Sequence, residues 1–151
     1  MGDQPAGGVD RRARAREKLE TLVNARKETL ARLAELASIR PFVAEPQTEE
    51  ALQDFCESLV DYAASAHFQL YRYIAENKER RRAVRAVAER IYPKIAQTTD
   101  AILEFNDRYD VARLEGRVES LSEDLSRLGE LLADRIQLED QIIAAMLERG
   151  R

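Results

Sequence analysis

Glu57, Asp61 and Phe68 are the residues whose chemistry has no evident internal use in this chain. On a helical wheel of about 100° per residue, with Asp61 at zero, Asp54, Glu57, Ser65 and Arg72 fall on its side, and Phe68 lies almost directly beneath it. Leu52, Leu59, Ala63, Ala66 and Leu70 gather on the opposite side, the one a core would bury. The chemistry open to the first set is recognition. Carboxylates make strong charge-assisted bonds to guanidinium groups, and a ring among them can serve as a desolvated anchor. Ala64 and Ser65 are small enough to let a partner helix come close. The expected partner-binding face is therefore Glu57, Asp61, Ala64, Ser65, Phe68 and Arg72. The competing reading packs Phe68 under the loop 41–48 as plain core.

Other chemistries lack their ingredients. A di-metal site in a helical bundle draws a Glu-x-x-His pair from each of two helices. This chain has one histidine, His67, and Ala64 stands three residues before it. One histidine and one cysteine cannot close a zinc site. No Gly-rich phosphate loop, Gly-x-Ser-x-Gly elbow or Ser/His/Asp set is present. The expectation is a protein without catalysis, metal or cofactor. His67 falls at the border of the core face and is expected to be partly buried and hydrogen-bonded within the fold. Cys56, at the edge of that face, reads as a buried structural thiol, and a single cysteine permits no internal disulfide. The basic run Lys78 to Arg82, with Arg85 and Arg90, is diluted by Glu76, Glu79 and Glu89 and reads as a solvated face with internal ion pairs.

The elements that must position these residues are helices. Residues 1–9 read as a disordered tail. A helix is predicted from Asp10, a plausible N-cap, to Ser38, on the spacing of Leu19, Leu22, Val23, Leu30, Leu33 and Leu36. Pro41 ends it, because proline disfavours helical geometry in the residue before it. Thr48 is expected to cap a second helix reaching about Glu76, with Asn77 as a weak break. A third arm is expected to break or kink at Pro93, where a helical hydrogen bond is lost. The last helix is predicted over 110–148. There Leu114, Val118, Leu121, Leu125, Leu128, Leu132 and Ile136 form a seam of about 3.5 residues per turn. Gly129 interrupts the seam, where it would admit a close neighbour. The expected fold is all-α: an up-down four-helix bundle with a broken or kinked third helix, in a single domain over 10–151.

Composition agrees. Apolar residues make up 44% and charged residues 34%, with a net charge of −4, as in a globular protein. The negative balance argues against DNA as the main partner and favours a basic one. No stretch approaches the ~20 apolar residues of a membrane span, and the N-terminus lacks the apolar core of a signal peptide. The protein is expected to be cytoplasmic, without membrane contact, and a monomer.

The run Asp54, Phe55, Cys56, then Ser58, Leu59, Val60, Asp61, Tyr62, followed by His67, Phe68 and Tyr71, resembles the signature segment of the Rsd/AlgQ family, the regulators of sigma D. Arg26-Lys27, Ile91-Tyr92-Pro93 and Leu138-Glu139-Asp140 also sit where that family has similar residues, and the likeness spans roughly residues 17–148. The resemblance implies a helical bundle that acts as an anti-sigma factor. Its partner would be domain 4 of the primary sigma factor, a helix-turn-helix module that reads the −35 promoter element and contacts core RNA polymerase. Asp61 and Phe68 match positions implicated in sigma binding in the family; Ala64 stands where a relative carries serine. Two other readings stay open on the residues alone: a helical adaptor self-associating through the seam from Leu114 to Ile136, and a DNA-binding regulator using Arg80 to Arg90.

Overall fold

A computed structural model describes residues 3–75, 82–110, 114 and 116–147. Four helical arms and no strand are present among them. The first arm is α1 (Asp3–Ser38). The second is α2 (Pro46–Ala66), which runs on without a break through a π turn (His67–Tyr71) into a last α-helical turn, α3 (Arg72–Ala75). The third and fourth are α4 (Arg82–Tyr109) and α5 (Val118–Leu147). This is an all-α four-helix bundle. α1 packs on α2, α2 on α4 and α4 on α5. No helix among the described residues is long and apolar enough to cross a membrane.

Each arm buries the stripe that its apolar spacing dictates. α2 contributes Leu52, Phe55, Leu59, Tyr62 and Ala66, and α4 contributes Val84, Ala88, Ile91, Ile95 and Ile102. α5 buries positions 121, 125, 128, 132, 135, 139, 142 and 146, alternating by four and three. Phe55 meets Phe105 edge-on at 5.9 Å, and Tyr71 meets Tyr92 at 5.4 Å. Residue numbers rise along α4 as they fall along α2, so the two run antiparallel.

Several boundaries differ from expectation for identifiable reasons. α1 begins at Asp3 rather than Asp10; Pro5 lies in the opening turn, where its missing N–H costs no helical bond. α2 begins at a proline, Pro46, and Glu45 rather than Thr48 precedes it. Thr48 is instead buried inside the helix. Glu49 serves the far loop: its Oε2 accepts the Leu114 backbone N–H at 2.7 Å. α4 runs through Pro93 as one helix, not two. Pro93 and Glu89, whose carbonyl it leaves without a donor, are both exposed, so water can satisfy that carbonyl. Ile91 and Ile95 hold the chain in the core on either side. The break expected at Asn77 lies outside the described residues, as do Lys78, Glu79, Arg80 and Arg81. A Cβ added at Gly129 would meet only Leu33 Cδ2 at 4.0 Å, an ordinary contact, so Gly129 serves no close approach.

Candidate docking site

The second arm departs from α geometry where the candidate face lies. Arg72 donates its backbone N–H to the His67 carbonyl, the i→i+5 bond of a π turn. Ala66, Leu70 and Ile74 are all buried, so eight residues cover two turns where an α-helix takes about 7.2. The π turn absorbs the surplus. From His67 onward the side chains lag behind the 100° wheel, and Phe68 and Arg72 swing away from the line of Asp61 towards α4. Such turns recur at functional positions.

What holds the π turn is a buried polar cluster that the sequence reading missed. Glu139 of α5 is fully buried. Its Oε1 accepts the Tyr62 hydroxyl at 2.5 Å and Arg26 Nη2 at 3.3 Å. Its Oε2 accepts the Tyr71 hydroxyl at 2.7 Å and Arg135 Nε at 3.2 Å. Arg135, 1% exposed, donates from Nη1 to Thr98 Oγ1 at 3.0 Å and Thr99 Oγ1 at 2.8 Å. Its guanidinium lies over the rings of Tyr62 and Tyr71. The Tyr92 hydroxyl donates to the Tyr71 carbonyl at 3.1 Å, and Arg26 also pairs with Asp140 at 2.8 Å. Three arms of the bundle thus meet at one carboxylate, and the fourth, α4, joins through Arg135 and Tyr71. Burial, then the neighbouring Glu139 charge, pushes the Tyr62 and Tyr71 hydroxyls well above the usual phenol range. The sequence did hold a signal: Arg135 and Glu139 continue the four-and-three spacing of the α5 seam. Ile136, read as a seam residue, is only half-buried.

On the outer side, the expected residues divide. Glu57, Asp61, Ala64 and Arg72 are exposed. Phe68 is 52% exposed; it does not pack beneath the 41–48 loop as core. Its ring meets His67 edge-on at 5.0 Å, and the Arg72 guanidinium lies 5.7 Å from its centre, within cation–π reach. Ser65 differs: it is half-buried, and its Oγ is fully enclosed with no hydrogen-bond partner. On the wheel it lies on the flank of α2 that carries Ser58, whose carbonyl accepts the Thr29 hydroxyl of α1 at 2.9 Å. His67, expected partly buried, is exposed. Cys56 is buried as expected, and burial, followed by the charges of Asp110 and Glu57, pushes its thiol up to about 12. Among the described residues no group of three or more His, Cys, Asp or Glu could hold a metal ion.

The three short segments that carry the resemblance outside α2 meet in space: Arg26 touches Glu139 and Asp140, and Tyr92 touches the π turn. A family model described as the regulator of RNA polymerase sigma(70) subunit, Rsd/AlgQ, matches residues 8–147. The chain belongs to this family. Similar curated proteins are the regulators of sigma D of Yersinia enterocolitica and Yersinia pseudotuberculosis, 34% and 33% identical over 131 residues, which cover 84% of this chain and 78% of each relative. That of an Enterobacter species is 32% identical over 135 residues, 85% of this chain and 79% of the relative. No solved structure gives a significant match. As an Rsd/AlgQ protein, the chain joins a buried polar centre to an exposed aromatic through a single π turn.

Proposed function

We propose that this Rsd/AlgQ protein is an anti-sigma factor that binds domain 4 of the primary sigma factor and blocks its contacts with core polymerase and the −35 element. The observation that carries the reading is Phe68, a half-exposed ring held between His67 and Arg72, about two turns beyond the exposed Asp61 and three beyond Glu57. A DNA-reading module is basic on its reading surface because phosphate contacts dominate DNA affinity. An acidic helix face complements that surface and speeds encounter. Asp61 and Glu57 pair with arginines of the sigma domain, and Phe68 supplies the apolar anchor. Holoenzyme carrying the primary sigma factor falls, which favours alternative sigma factors.

Self-association through the α5 seam has less support: Leu114, Leu121, Leu125, Leu128 and Leu132 are all buried within the single chain. Calorimetric titration with isolated sigma domain 4 tests the proposal. Wild type binds, Asp61→Ala binds more weakly, and its affinity depends less on salt. Absence of binding by wild type overturns the reading.

A further inference from the structure

The exposed face does not end on α2. On the α2 wheel, Val60, Ala64 and His67 lie on the flank towards α4, and the π turn brings Phe68 round to join them. On α4, Ala96, Asp100 and Leu103 follow each other at spacings of four and three, along the flank that Tyr92 turns towards α2. The antiparallel register set by Tyr71–Tyr92 and Phe55–Phe105 places Leu103 level with Val60, and Ala96 level with His67.

Three observations show that this is more than two adjacent surfaces. Val60, Phe68 and Leu103 are among the large hydrophobics left exposed, at 39%, 52% and 49%. At the π-turn end the seam opens into a groove of about 590 Å³, lined by Tyr71, Tyr92, Ile95 and Thr99 and by His67, Arg72 and Asp100. Finally, Glu57, Asp61 and Asp100 are all exposed, and none makes an ion pair or side-chain hydrogen bond with another described residue; Arg72 is the one cationic side chain among the residues lining the groove. The three carboxylates outnumber that cation along the seam, and a cationic partner surface relieves their mutual repulsion.

We infer that the docking face spans the α2–α4 seam and takes an amphipathic helix with basic flanks. The apolar side of that helix lies along Val60, Leu103 and Phe68, one side chain enters the groove beside His67, and its basic residues reach Glu57 and Asp61 on one side and Asp100 on the other. This is the helix-in-groove mode, in which apolar residues a turn apart give affinity and flanking charges fix the register. The inference rests on the sigma-factor reading and adds α4 to it: Ala96, Asp100 and Leu103 become contact residues.

The test titrates isolated sigma domain 4 into wild type, Leu103→Arg, Asp100→Lys, Phe68→Ala and Glu130→Lys, the last an exposed carboxylate on α5. Leu103→Arg and Asp100→Lys each weaken binding at least tenfold, and Glu130→Lys stays within twofold of wild type. Circular dichroism confirms each fold; should Leu103→Arg unfold, Leu103→Gln takes its place and weakens binding at least threefold. If both α4 variants bind like wild type while Phe68→Ala is weakened, the face ends on α2 and the inference is overturned, with the sigma-factor reading intact. A Glu130→Lys loss as large as that of Asp100→Lys also overturns it, since net charge alone then explains the effect. If wild type does not bind, the sigma-factor reading falls and this inference falls with it.

Discussion

Tyr62 and Tyr71 donate to opposite oxygens of one carboxylate, that of Glu139, although nine residues separate them on a continuous helical path. In an unbroken α-helix nine residues turn about 180°, and the two rings would point to opposite sides. The π turn removes enough of that rotation for both hydroxyls to converge. The polar centre and the winding of the docking arm therefore require each other, and Arg26, Arg135 and the two threonines of α4 complete the set.

The centre is sensitive to loss of one member. Glu139→Ala leaves the Arg135 guanidinium buried without its counter-charge, which costs about 3–5 kcal/mol. Replacing both, as Arg135→Met with Glu139→Leu, removes the uncompensated charge and regains most of that loss. Urea unfolding of wild type, the single variant and the double variant measures the difference. A double variant as unstable as the single one would show that the tyrosine bonds, not the ion pair, dominate.

The same centre makes the fold sensitive to alkali. Tyr62 and Tyr71 are held protonated in the folded state by burial and by the Glu139 charge, whereas an unfolded tyrosine ionises at roughly pH 10. Below that value both states carry the proton and the hydroxyl bonds contribute in full. As pH rises past it, the unfolded chain gives up protons that the folded chain keeps, and stability falls. Unfolding free energy measured between pH 8 and 11 stays level and then declines, and Tyr62→Phe makes the decline shallower.

The apolar spacing alone made the four arms and their buried faces legible, because period and burial are coupled in any amphipathic helix. It also made Phe68 legible as a ring on the wrong side of its helix. Two features were not legible, for one shared reason. A wheel of constant pitch cannot show a π turn, and a hydrophobic pattern treats Arg135 and Glu139 as surface residues. Yet each explains the other, since the buried carboxylate is what Tyr71 reaches through the extra residue. The break expected at Pro93 is absent for a different reason: Glu89, whose carbonyl loses its donor, is exposed, so the helix continues through the proline.

Gly129 lies within α5 with room beside it, its nearest prospective neighbour being Leu33 Cδ2 at 4.0 Å. Nothing in its surroundings needs the missing side chain. Gly129→Ala recovers the helix propensity that glycine forgoes, about 1 kcal/mol, and raises the thermal midpoint without altering partner binding. A lower midpoint would mean that Leu33 cannot yield the space.

Phe68→Ala separates docking from packing. Phe55 is the internal control: fully buried and edge-on to Phe105 at 5.9 Å, it loses about 3–5 kcal/mol of stability on truncation to alanine. Phe68 is half-exposed, and its ring touches His67 and Arg72 rather than the core. Its truncation changes unfolding by about 0.5 kcal/mol or less. Affinity for sigma domain 4 falls by about 2 kcal/mol, roughly thirtyfold in Kd. The loss is that large because His67 and Arg72 already hold the ring in place, so little ordering cost remains at the moment of binding. Paired unfolding and titration experiments on the two variants decide the matter. A Phe68→Ala protein that loses stability like Phe55→Ala and keeps its affinity would return the ring to the core and remove the anchor from the docking face.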